Sequence, residues 1–121
     1  MTSKNPKKKL IKQLDAAFKK ILYATHPNKC ITCGAKENLS WSHLITSSKY
    51  ATRWNMKNVH IQCLSCNFRH EHYPEYYTNW FLRKYGQEEY KKLVKKSWSR
   101  EGKPFTMGEL RKLLERLNKI V

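Results

Sequence analysis

Two cysteine pairs, "CITC" at residues 30–33 and "CLSC" at 63–66, constrain this chain more than any other feature in it. A two-residue spacer sets both thiols of a pair on one tight turn. Two such turns can close tetrahedrally around one zinc ion and leave no position open for a substrate. A zinc held by Cys30, Cys33, Cys63 and Cys66 is therefore expected to be structural. The chain has 121 residues, enough for one domain with a modest core. In a domain of this size such a staple supplies on the order of 10 kcal/mol of apparent folding free energy. Buried free thiols or a redox pair are the alternative reading, but the paired spacing, met twice in one small basic chain, favours metal.

Charge narrows the class of partner. Lysine and arginine number 25 against 9 acidic residues, a net charge of +16, and the basic positions recur from Lys4 to Lys119. A surface of this kind gains affinity for a polyanion by displacing counterions from phosphates, so nucleic acid is the first expectation and an anionic membrane surface the weaker one. The opening "MTSKNPKKKL" carries no long apolar run, so neither a secretory signal nor a membrane span is expected. The expected setting is a reducing cytoplasm, where paired cysteines remain available to metal.

Hydrophobic spacing divides the chain into an α+β domain over residues 10–121, preceded by a basic, disordered arm over 1–9. Leu10, Ile11, Leu14, Ala17, Phe18, Ile21 and Leu22 recur at helical spacing opposite Lys12, Lys19 and Lys20, predicting a helix over 10–25. Residues 30–72 hold the cysteines and two short apolar runs, "LSWSHLI" and "NVHIQC", that read as strands or loops around the metal. A helical extension is predicted over 74–121. Pro74 opens one helix and Gly86 stops it, "QEEYKKLVKKSW" forms a second, and Thr106 with Glu109 caps a third.

The interval between the cysteine pairs carries chemistry of its own. In "WSHLI" and "RWNMKNVHIQC", a histidine is followed by an asparagine five positions before the third cysteine. The arrangement resembles the HNH (His-Me finger) nucleases, which implies a small zinc-stapled ββα-metal core of treble-clef type. In that family a hairpin histidine is the general base, an asparagine braces the hairpin, and a residue of the next helix holds a catalytic divalent ion. The resemblance makes His43 the base, Asn58 the brace and Asn67 the ion ligand, with His60 a further catalytic candidate. Physical chemistry agrees: an imidazole titrates near neutrality and suits deprotonation of water, while magnesium or manganese on oxygen ligands suits charge on a phosphate. An ordinary buried histidine is the alternative for each; the spacing to Asn58 and the cysteine frame favours catalysis for His43, whereas a strand histidine at position 60 can equally hydrogen-bond the loop or contact phosphate. Lys49, Arg53, Lys57 and Arg69 flank the proposed site and are candidate phosphate contacts, or solvated surface charges. Trp41, Trp54, Phe68, Tyr77, Trp80 and Phe81 are expected mainly in the core, with base stacking the minority use.

A narrower resemblance covers the chain from about Leu10 onward. "LIKQLDAAFKKI", "CITCG", "RWNMKNVHIQCLSCN", "YGQEEY" and "FTMGELRKLLERL" look like the phage NinG (Rap) recombination proteins. Asn58, His60, Gln62, Cys63, Cys66 and Asn67 match that family's N-x-H-x-Q-C-x-x-C-N pattern. The resemblance implies a structure-specific endonuclease for branched DNA such as Holliday junctions, D-loops and flaps, in a host cytoplasm if phage-encoded, with no membrane or small-molecule substrate. Symmetric junction resolution would favour a homodimer. Two positions depart from the families. Ser42 stands where many HNH enzymes have an aspartate or histidine ligand, and "HEHY" follows where NinG proteins commonly have a Gly-Asn element. The alternatives are a noncatalytic zinc-stabilised DNA- or RNA-binding module and a less specific HNH endonuclease.

Overall fold

The structure is a computed structural model that describes residues 5–120. Helix α1 runs Pro6–Thr25, four residues ahead of the start that the apolar spacing predicts. The Asn5 side chain accepts from the N–H groups of Lys7 and Lys8 at 3.1 and 3.2 Å, and Pro6 occupies the first turn, where no N–H is needed. Lys7, Lys8 and Lys9 are thus helical, not part of an arm; residues 1–4 lie outside the described ones. Local capping decided this start, and capping leaves no mark on hydrophobic periodicity.

Strands β1 (Leu39–His43) and β2 (Val59–Cys63) form an antiparallel pair in register from Leu39 opposite Cys63 to His43 opposite Val59. The hairpin connection contains one short helix, α2 (Tyr50–Arg53), which the sequence reading lacks. Every residue of β2 is buried, because both faces are covered. Val59 and Ile61 pack on Phe18 and Leu22 of α1. His60 and Gln62 lie on the other face, beneath two further helices, α3 (Leu64–His72) and α4 (Glu75–Tyr85). Fully burying side chains of this size contributes about 1.5–3 kcal/mol each.

Helix α3 starts without a loop where β2 ends. Gly86, at φ +88°, turns the chain from α4 into α5 (Gln87–Ser97), a backbone region that a Cβ disfavours. Tyr77 and Phe81 of α4 cluster with Leu93 of α5 and with Leu44 beyond β1. Helix α6 (Met107–Ile120) returns to α1, where Leu110 meets Leu10 and Leu14. Its capping box forms as the sequence predicts: the Thr106 N–H donates to Glu109 Oε1 at 3.0 Å and the Glu109 N–H to Thr106 Oγ1 at 3.1 Å. Among the described residues no helix is long and apolar enough to cross a membrane.

Candidate metal centre and the adjoining cleft

One end of the hairpin gathers all four cysteines. Gly34, at φ +81°, lets the first knuckle close with its N–H on the Cys30 carbonyl at 2.9 Å. In the second knuckle the Cys66 N–H points at Cys63 Sγ, 3.5 Å away. The four sulfurs lie within 4.8 Å of one another. Cys33 Sγ and Cys63 Sγ are 3.7 Å apart, against about 3.8 Å for the edge of a tetrahedron with zinc–sulfur arms of about 2.3 Å. Burial opposes charge on Cys30, yet the Thr32 hydroxyl at 3.3 Å and nearby backbone N–H groups carry its thiol down to about 6. Burial, with the other three sulfurs, pushes Cys66 up to about 12. Four thiolates this close repel one another without a cation between them. The cluster can hold a metal ion, and an all-sulfur tetrahedral donor set fits zinc.

The other end of the hairpin opens into a cleft of about 480 Å³, lined by Trp41, His43, Thr46, Asn67, His70 and Glu71, among others. His43 Nε2 donates to the Arg53 carbonyl at 2.9 Å, which fixes the tautomer and leaves Nδ1 with a lone pair. Burial lowers its pKa below the usual 6.5, and the nearby Arg53 charge works in the same direction. The imidazole is therefore neutral at pH 7. Asn58 is fully buried and ties the hairpin connection together: its Oδ1 accepts from the Ile45 N–H at 2.8 Å, and its Nδ2 donates to Ile45 O at 3.1 Å and Thr52 O at 3.0 Å.

Asn67 reaches the cleft wall, but its amide is engaged by the hairpin. Its Nδ2 donates to Ser40 Oγ and Trp41 O at 3.3 and 3.4 Å, and its Oδ1 lies 2.9 Å from the Ser42 hydroxyl. That hydroxyl has one proton and also sits 2.6 Å from Gln62 Oε1. Glu71, one helical turn beyond Asn67, is exposed on the same cleft. His70 is held by its Nε2 donating to Leu44 O at 2.8 Å.

His60 is not at the cleft. It lies on the opposite face of β2 from His43's partner Val59, 1 % exposed, with Nδ1 2.7 Å from the Tyr77 hydroxyl and rings of Trp80 and Phe81 around it. Burial pushes its pKa down to about 3. The one-residue step from Val59 turns it to the face under α4, so its place in the motif reflects packing. The Arg53 guanidinium is likewise engaged: Nε and Nη2 donate to Asp15 of α1 at 3.0 and 2.7 Å, and Nη1 donates to Ser47 O at 3.1 Å. Lys49 pairs with Glu101 at 2.9 Å over the Trp98 ring, and Lys57 pairs with Glu89 at 2.6 Å. Arg69 stacks over exposed Tyr76. Phe68, expected in the core, is 65 % exposed.

Sequence reasoning missed Asp15. It accepts from Arg53 and from Trp54 Nε1 at 2.8 Å, and so anchors to α1 the residue whose carbonyl holds His43. A lone acidic residue on a lysine-rich helix was the available signal, at a half-buried position between the buried Leu14 and Phe18.

A family model described as bacteriophage lambda NinG protein matches residues 2–119. Comparison with curated proteins gives no match, and comparison with solved structures gives none.

Proposed function

The chain belongs to the bacteriophage lambda NinG family, and from that premise we propose that it is a divalent-metal-dependent DNA endonuclease of HNH type acting on branched recombination intermediates such as Holliday junctions, D-loops and flaps. One observation carries the reading: a neutral imidazole with a fixed tautomer and two oxygen-bearing side chains, Asn67 and Glu71, line one polar cleft. His43 takes the proton of the attacking water at Nδ1, while its Nε2–H stays on the Arg53 carbonyl. Asn58 braces the connection that carries Arg53 and Ile45. The sequence β1, β2, α3 then plays the part of a ββα-metal core, with the cysteine cluster fixing α3 against the hairpin.

Asn67 and Glu71 are the residues that would hold magnesium or manganese, since hard cations take oxygen donors. Such an ion supplies charge stabilisation to the phosphate and to the departing oxygen. The positive surface holds the DNA backbone. Arg69 is the best placed of the four cations named above, because the other three are paired within the protein.

The test is cleavage of labelled four-way, flap and plain duplex DNA by wild type and His43→Ala, with magnesium or manganese and without either, after zinc content is shown equal. Divalent-dependent cutting of branched substrates should fall by about 10²- to 10⁴-fold in the variant, with its acid limb below pH 6.5 in the wild type because burial lowers the His43 pKa. Cutting that survives the substitution refutes His43 as base. The engagement of the Asn67 amide by Ser40, Ser42 and Trp41 favours a second reading, a noncatalytic zinc-stabilised DNA- or RNA-binding module. Salt-sensitive binding with no cutting of any substrate would establish that reading instead.

A further inference from the structure

Four of the large hydrophobic side chains that remain exposed fall within thirteen consecutive positions, residues 64–76, on α3, the link that follows it and the start of α4. Leu64 is 57 % exposed, Phe68 65 %, Tyr73 58 % and Tyr76 56 %. Burying such side chains would stabilise the fold, so a cluster left in water beside a cleft marks a surface that meets something else.

Helical spacing relates this cluster to the cleft. At about 100° per residue, Leu64, Phe68 and His72 form one ridge along α3, and Asn67 and Glu71 form the adjacent row. The same helix therefore presents a polar wall to the cleft and, next to it, an apolar ridge to solvent. The ridge carries a flat ring pair, and a cation–ring pair lies on the neighbouring face of α3. Phe68 and His72 rings are 5.0 Å apart, and the Arg69 guanidinium lies 5.4 Å from the Tyr76 ring centre. Aromatic faces with neighbouring cations are the chemistry on which unpaired bases stack, and Leu and Phe are side chains that wedge between base steps. With a net charge of +16, a polyanion complements this surface better than a second, equally positive copy of the chain.

We propose that the Leu64–Phe68 ridge of α3 is a stacking wedge that receives unpaired nucleobases and so directs the adjoining cleft to branched or bulged DNA. The proposal rests on the nuclease reading only for what the cleft does to the backbone. The ridge itself is a binding element and is tested by binding.

The test is fluorescence anisotropy on a labelled four-way junction, a bulged duplex and a matched duplex, with calcium in place of magnesium, for wild type, Phe68→Ser, Leu64→Ser/Phe68→Ser and Phe68→Trp. Because these positions are exposed, the serine variants should keep zinc content and helical circular dichroism. Phe68→Ser should weaken junction and bulge binding about tenfold, the scale of one lost base–aromatic stack, and matched-duplex binding by less than about twofold. The double variant should lose more, and Phe68→Trp should retain the preference. An equal loss on all three DNAs, or none, overturns the proposal. So does sedimentation showing a wild-type dimer that Phe68→Ser splits with substrate preference unchanged, since a second copy would then cover the ridge. Wild-type protein that cuts none of the DNAs with magnesium or manganese would refute the nuclease reading and leave the anisotropy result standing.

Discussion

At the Leu39–Cys63 end of the hairpin, order depends on four sulfur atoms within 4.8 Å of one another. At the His43–Val59 end it depends on one buried amide, Asn58, with three hydrogen bonds, and on an imidazole held by a backbone carbonyl. The first end is self-contained: its donors come from two short turns and need only an ion. The second is distributed, because the Arg53 carbonyl that holds His43 belongs to a residue fixed by Asp15, far away in α1. One ladder thus joins a corner set by side-chain identity to a corner set by packing. A substitution at the first should therefore be all-or-none, and at the second graded.

The largest expected effect is at the cysteines. Cys63→Ser should abolish metal binding and melt the hairpin and α3, since metal binding of this kind supplies on the order of 10 kcal/mol of apparent folding free energy. Metal content and circular dichroism read this out, and a variant that stays folded without metal would erase the contrast. Asn58→Ala leaves the Ile45 N–H, Ile45 C=O and Thr52 C=O without their partner; about 4 kcal/mol should be lost in urea unfolding, with metal still bound.

His60 probes the covered face between the two ends. Its folded pKa, about 3, lies below its ordinary 6.5, so the unfolded chain takes up the proton first. The stability from the neutral ring is fully present above about pH 6.5 and is lost as pH falls from there toward 3, by roughly 4 kcal/mol. Thiol protonation also weakens metal binding in acid, so the quantity to measure is the difference between wild type and His60→Gln across that window. Equal pH dependence in both would remove His60 from the account. Asp15→Asn should cost least, about 2 kcal/mol for a half-buried ion pair at 2.7 Å. Under the proposed nuclease function it should also lower cleavage at saturating DNA more than it weakens DNA binding, with recovery in Asp15→Glu. Loss of affinity alone would mean that Asp15 does not position His43.

The metal corner was legible because spacing between donors is itself the geometry: "CITC" and "CLSC" state which atoms meet. The α4–α5 break at Gly86 and the capping box at Thr106 and Glu109 were legible for the same reason, being local. The start of α1 was not, because Asn5 acts through two backbone N–H groups and not through periodicity. Phe68 and His60 defeated the sequence in opposite directions. A phenylalanine expected in the core stands in water, and a histidine expected at the site is buried. Hydrophobicity gives the tendency of a residue, whereas the face it occupies depends on which elements arrive to cover it.

By itself the sequence determined the family, the four donors, the helical segments and the net charge of +16, since each follows from residue type and short spacing. Only the tertiary structure decided that α1 reaches across to hold Arg53, that three of the four proposed phosphate cations are already paired, and that α3 turns a polar row to the cleft and an aromatic ridge to solvent. Those facts depend on contacts between residues tens of positions apart. Such contacts form where packing brings two surfaces together, and no local pattern records them.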